Sequence, residues 1–147
     1  MGGIGDYMTD DHAQCDEHFA LAEDAAQARD WEALSGKLDA FVDAMRRHFD
    51  LEESLLFPAF EARTGMTSGP TQMMRSEHEQ MRELIDSLVQ AAQARDTDAY
   101  AGFAETLLLM MQQHNIKEEQ MLYPMMDEAL GGEGEALLDR MQNTHAV

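Results

Sequence analysis

The sequence predicts an all-α protein, an up-down-up-down four-helix bundle with an internal two-fold repeat. Three observations carry this. Apolar residues recur every three or four positions almost throughout, which is helical periodicity. Shifting the chain by 66 residues lays Asp11–Gly65 on Glu77–Gly131 without a gap, so the second half restates the first. Only one connection, Thr64-Gly65-Met66-Thr67-Ser68-Gly69-Pro70, reads as a real loop, and it joins the two halves.

The first helix is expected over about 9–28, with His12, Cys15, Phe19, Ala22 and Ala26 on one stripe. Asp30 is a good N-cap after a very short turn, so the second helix, about 31–63, runs antiparallel beside the first. Its stripe is Leu34, Leu38, Phe41, Met45, His48, Glu52, Leu55 and Ala59. The third helix, about 71–94, carries Met74, His78, Met81, Ile85, Leu88 and Ala92. Asp96 or Thr97 caps the fourth, about 97–130, with Tyr100, Phe103, Leu107, Met111, His114, Glu118, Met121 and Met125. Pro58 and Pro124 fall six residues after Glu52 and Glu118, where each removes a backbone bond and should kink its helix. Gly131-Gly132 ends the fourth helix and leaves Glu133 to Gln142 for a short fifth.

The 147 residues make one domain, large enough to bury a core, with repeat halves at about 11–65 and 77–131. A net charge of −19 argues against nucleic acid or an anionic membrane surface as partner, since both need a basic face. No apolar run approaches the roughly 20 residues of a membrane span. A single cysteine, Cys15, fits a reducing cytoplasm. Met1 to Asp11 carries no signal-peptide pattern, and Gly2 opens no myristoylation motif because Asp6 stands where Ser or Thr belongs.

The repeat is built around histidine and glutamate. His12 lands on His78, His48 on His114 and Glu52 on Glu118. Each half reads His, then 36 positions on, His-x-x-x-Glu. His48 and Glu52 are four apart, one turn along one face, as are His114 and Glu118. All six lie on the apolar stripes, so folding carries four imidazoles and two carboxylates into the bundle centre. Two buried carboxylates without counter-charge would cost several kcal/mol each. No Lys or Arg occupies the stripes at that level; Arg46, Arg47 and Lys117 fall off them. Two divalent metals supply the missing charge, each glutamate bridging both and each metal taking two histidines. Lone core histidines are usually satisfied by a hydrogen bond, but four at duplicated spacing are not lone.

Glu53 and Glu119 rotate roughly 100° off the stripe and are expected in solvent, not as ligands, and so are Glu77 and Glu79. Cys15 and Met81 occupy equivalent core positions and are expected to pack. His18, without a repeat mate, belongs at the surface or core edge; His145 stands in the tail. The 13 methionines read as adaptable core filler. Burial of uncharged imidazoles further predicts that the metal-free protein loses stability as pH falls. Bridging carboxylates with imidazoles favour iron or manganese; a structural zinc site would be closed and tetrahedral.

His12, His48-Phe49-Asp50-Leu51-Glu52-Glu53 followed by Leu56-Phe57-Pro58, His78-Glu79, and His114-Asn115-Ile116-Lys117-Glu118-Glu119 followed by Leu122-Tyr123-Pro124 resemble the hemerythrin-like (HHE cation-binding) domain family over about residues 10–130. The resemblance implies a non-haem di-iron centre, two Fe ions under an oxo or hydroxo bridge (Fe-O-Fe or Fe-OH-Fe), meeting O2 or NO. Zinc or manganese ranks behind iron. It makes His12, His48, His78 and His114 terminal ligands and Glu52 and Glu118 the bridges. The oxygen carriers of the family have a fifth histidine on the third helix; here Met74 and Arg82 flank His78 instead. The site is more similar to the four-His, two-Glu members, which include iron or oxygen sensors and iron-sulfur repair proteins. Those repair proteins also carry a cysteine-containing N-terminal domain, for which these 147 residues have no room. A small-ligand-binding di-iron module leads; a redox enzyme acting on peroxide or NO, and a protein whose Zn or Mn is structural, stay open.

Overall fold

The computed structural model describes residues 3–144, so Gly2 and His145 lie outside the described residues. Four long helical arms form the bundle. α1 spans Ile4–Gln27 and α2 Trp31–Leu51; α2 continues through a π turn, Glu52–Leu56, into α3, Phe57–Thr64. After the loop come α4, Pro70–Gln93, and α5, Thr97–Lys117, which continues through a second π turn, Glu118–Leu122, into α6, Tyr123–Leu130. A further helix, α7, Glu133–Thr144, realises the expected fifth and buries Leu137 and Met141.

The turns between paired arms follow the expected chemistry. Asp30 accepts the Ala33 N–H at 3.1 Å and Asp96 the Ala99 N–H at 3.0 Å, so Asp96 and not Thr97 caps its helix. Each turn forces an arginine, Arg29 or Arg95, to positive φ, near 58° and 53°. α1 begins at Ile4, five residues earlier than periodicity predicts. The reason is a long-range cap: the Asp127 carboxylate on α6 accepts the Ile4 and Gly5 N–H groups at 3.0 and 3.2 Å. A Cβ at Gly3 or Gly5 would stand 2.9 Å from that carboxylate, so only glycine admits it.

The prolines act differently from the expected kink. Phe57 N–H donates to Glu52 O, and Tyr123 N–H to Glu118 O, five residues back instead of four. This widened turn lets Pro58 and Pro124 enter at the start of a fresh α-helix, where no N–H is required. One extra residue per turn shifts the register. The predicted Leu55 and Ala59 are therefore only half-buried and Met121 is 60% exposed, while Leu56, Phe57, Phe60, Leu122, Tyr123 and Met126 fill the core. Phe103 is also displaced to the surface, Ala104 taking the inner place.

Two apolar clusters result. One, around Phe19, Leu34, Phe41, Leu88 and Leu107, fills the end nearer the short turns. The other, around Ile4, Met8, Phe57, Phe60, Tyr123 and Met141, fills the end nearer the loop. Each fully buried large side chain adds roughly 1.5–3 kcal/mol. The histidines lie between: on α1 His12 separates Met8 from Cys15, and on α4 His78 separates Met74 from Met81. No helix among the described residues is long and apolar enough to cross a membrane.

Candidate metal centre

His12 on α1, His48 on α2, His78 on α4 and His114 on α5 reach the polar layer together with Glu52 and Glu118, the first residues of the two π turns. All six are buried, with both glutamates at 0% exposure. They form two four-donor groups, His12–His48–Glu52–Glu118 and His78–His114–Glu52–Glu118, with donor atoms within 4.8 Å of one another in each. The glutamates are common to both groups. The π turns help to set this, since each opens at the glutamate and continues toward the centre.

Most of these donor atoms are not satisfied by protein; among the imidazoles only His12 Nε2 is, meeting Glu118 Oε1 at 3.0 Å. His48 Nε2, His78 Nε2, His114 Nε2, Glu52 Oε1 and Glu118 Oε2 are buried without a hydrogen-bond partner. His78 Nε2 lies 2.9 Å from Glu52 Oε1, and His114 Nε2 3.2 Å from Glu118 Oε1, without hydrogen-bond geometry. Native interiors rarely leave so many polar atoms orphaned at one spot. Imidazole nitrogens and carboxylate oxygens converging this way fit a pair of transition-metal ions.

The far nitrogens of the histidines are occupied, and here the expectation for the neighbouring acids needs correction. His12 Nδ1 meets Glu119 at 2.7 Å, His48 Nδ1 meets Asp11 at 2.7 Å, His78 Nδ1 meets Glu53 at 2.6 Å, and His114 Nδ1 meets Glu77 at 2.7 Å. Glu53, Glu119 and Glu77 thus turn toward the neighbouring helix instead of solvent. Their rotation off their own stripe aims them there. Of the four acids assigned to solvent, Glu79 alone stays largely exposed, paired with Arg82. A carboxylate on Nδ1–H fixes the tautomer, leaving Nε2 free to ligate.

The four carboxylates follow the repeat, Asp11 matching Glu77 and Glu53 matching Glu119, but their outer partners do not. Arg82 holds Glu53 at 2.9 and 3.0 Å, and Lys117 holds Glu77. The matching positions in the first half are Asp16 and Leu51.

Burial alone would lower the pKa of an imidazole, as expected from sequence. For His48, Glu52, Asp11 and Glu118 more than offset burial and raise it well above the ordinary 6.5. His78 is raised by Glu52 and Glu53, and His114 by Glu118 and Glu52, each against its own desolvation. For these three the direction is opposite to that expected from burial alone. Glu53 is held at about 2, its hydrogen bonds to His78 and Arg82 overcoming desolvation. Between the central glutamates, burial and the nearness of Glu118 raise Glu52, whereas the nearness of Glu52 and of the surrounding histidines holds Glu118 well down against its burial.

One residue of the centre was not singled out from sequence. The Tyr123 hydroxyl lies 2.7 Å from Glu52 Oε2, 3.0 Å from Glu118 Oε1 and 3.3 Å from His12 Nε2. Burial, then the two carboxylates, push its proton loss well above the ordinary 10. Its repeat mate is Phe57, whose ring stacks at 5.7 Å on His78; Phe49 covers the same imidazole at 4.1 Å. Cys15 is buried one turn from His12 with its thiol raised to about 11, first by desolvation, as suits a packing role. His18 sits half-buried at the core edge.

Comparison with known proteins agrees with this geometry. The family model of the hemerythrin HHE cation binding domain matches residues 4–126. Among curated proteins, the iron-sulfur cluster repair protein YtfE of Musicola paradisiaca (strain Ech703) is 33% identical over 110 residues, which cover 68% of this chain and 48% of that protein. The chain thus spans about half the length of that relative. No solved structure matches it.

Proposed function

We propose, from the premise that this chain belongs to the hemerythrin HHE cation-binding domain family, that it holds two iron ions at His12, His48, Glu52, His78, His114 and Glu118 and uses them to bind or sense a diatomic ligand, O2 or NO. The observation that carries the reading is the pair of four-donor groups sharing both glutamates, with the Nε2 atoms of His48, His78 and His114 left without hydrogen-bond partners. The ions would supply the redox-active positions at which a diatomic is taken up. Everything else is the work of side chains. Glu52 and Glu118 balance charge for both ions. Asp11, Glu53, Glu77 and Glu119 hold the four imidazoles in the ligating tautomer. Phe49 and Phe57 shield His78 from water.

The donor set favours iron over zinc because two shared carboxylates and four imidazoles leave room for further ligands on each ion. The fifth histidine of oxygen carriers is absent: Met74 packs in the core and Arg82 is engaged with Glu53 and Glu79. The reduced protein is therefore expected to oxidise in air instead of releasing O2 reversibly, and Met74→His to slow that oxidation. A cytoplasmic site of action accords with the single, buried Cys15.

The kinship with an iron-sulfur cluster repair protein favours a second reading, redox chemistry on NO or peroxide in support of such repair. Metal analysis and optical spectra of protein isolated without air, before and after adding O2, NO or peroxide, test both. Two irons per chain and stoichiometric NO uptake support binding; repeated consumption of NO or peroxide supports the enzyme. Zinc as the resident metal, or spectra unmoved by every ligand, would sink both.

A further inference from the structure

The two halves of the centre are not equivalent. At the position five residues beyond each central glutamate, the second half has Tyr123 and the first has Phe57. In an unbroken α-helix that position would point well away from the glutamate. The π turns bring it back to the centre in both halves, so the chemistry of the residue matters. Tyr123 places a hydroxyl oxygen within 3.3 Å of three of the four residues in the His12/His48 group. Phe57 offers the His78/His114 group only a ring face.

Resting on the di-iron reading, we propose that the Tyr123 hydroxyl oxygen is a fifth protein donor to the metal held by His12 and His48, so that the exchangeable position falls to the His78/His114 metal. Coordination exchanges the O–H bond for a metal–oxygen bond. The proton leaves to solvent, and the phenolate adds one negative charge to its ion. The surrounding charges run the same way. The carboxylates behind His78 and His114 are paired with Arg82 and Lys117, whereas the matching positions behind His12 and His48 are Asp16 and Leu51. Arg47 acts on Asp11 only at longer range. Anionic charge thus gathers at the His12/His48 metal, which is set to keep the higher oxidation state. The other metal is left with four protein donors and a more cationic surround.

The test uses the oxidised, iron-loaded chain, with iron counted in every sample. Visible absorption should show a phenolate-to-iron charge-transfer band, and resonance Raman excited within it the ring modes of tyrosine. Both should vanish in Tyr123→Phe while two irons remain. NO added to the reduced protein should be excluded from Phe57→Tyr, where a second phenol closes the other position. Two irons without a tyrosine signature, or a signature that survives Tyr123→Phe, overturns this inference and leaves the di-iron reading standing. Failure of the unmodified chain to hold two irons overturns both.

Discussion

On the proposed two-iron reading, replacing Glu119 by Gln, and separately Glu53 by Gln, asks whether the outer carboxylates tune the two ions unequally. Each substitution keeps the size of the side chain and an oxygen for the imidazole N–H, at 2.7 Å from His12 and 2.6 Å from His78, but removes the charge. Loss of such an orienting carboxylate typically lowers metal affinity by roughly 10–100-fold, about 1.4–2.7 kcal/mol. The structure says where in that range each falls. Glu53 already shares its charge with Arg82 through contacts of 2.9 and 3.0 Å, so less of it acts on His78. At the position matching Arg82 the first half has Asp16, so nothing equivalent draws charge from Glu119. Glu119→Gln should cost roughly 100-fold and Glu53→Gln roughly 10-fold. The assay is competition for ferrous iron against a coloured chelator, fitted for two steps. Only one step should weaken in each variant. Equal losses, or a larger loss for Glu53→Gln, would refute the assignment of unequal surroundings.

Removing iron with a chelator should leave far-ultraviolet circular dichroism nearly unchanged while lowering the melting temperature, because the apolar clusters on either side of the centre persist; collapse of the helical signal would contradict this. With His48, His78 and His114 raised above 6.5, their contribution to metal-free stability is fully present below that pH and is lost as pH rises through their folded-state values, so melting should fall toward alkaline pH. Thr71 donates to Glu61 at 2.6 Å beside Arg75, and Thr71→Val should cost about 1.5–3 kcal/mol in urea denaturation at neutral pH. Those hydrogen bonds hold Glu61 below 4.5 against its desolvation, so their stabilisation is present above that value and the penalty should shrink as pH falls through the folded-state pKa. Arg29→Gly and Arg95→Gly should each stabilise by about 0.5–1 kcal/mol by relieving positive φ, read from the same denaturation curves; a loss would mean that the arginine side chain contributes more than the strain.

Phe103 apart, the stripes before each central glutamate were legible because a straight α-helix keeps its phase, and Leu34, Leu38, Phe41 and Met45 are all buried. Beyond Glu52 and Glu118 the same arithmetic pointed at Leu55 and Met121, one residue out of step with the helix that forms. Pro58 and Pro124 announced a disturbance, but proline does not state whether a helix will bend or widen. Tyr123 was hidden by that ambiguity alone. The acids on the outer histidine nitrogens were hidden differently. Periodicity reports which way a side chain points from its own helix and nothing of what the next helix presents there. Their recurrence in the repeat, Asp11 with Glu77 and Glu53 with Glu119, was the available signal.

The exchange of glutamates between the halves has a consequence for how the two could have diverged. The first half supplies His12 and His48 but must borrow Glu118, and the second supplies His78 and His114 but must borrow Glu52. The outer contacts cross as well, Glu119 serving His12 and Glu53 serving His78. Neither half can complete a metal group from its own residues, so a change in one glutamate is felt by histidines in both copies. That mutual debt ties the ten shared positions together as one inherited unit. Within it only Asp11 and Glu77 differ between the halves; the larger contrasts lie just outside, at Phe57 and Tyr123, Asp16 and Arg82, and Leu51 and Lys117, and they make a symmetric pair two distinct places.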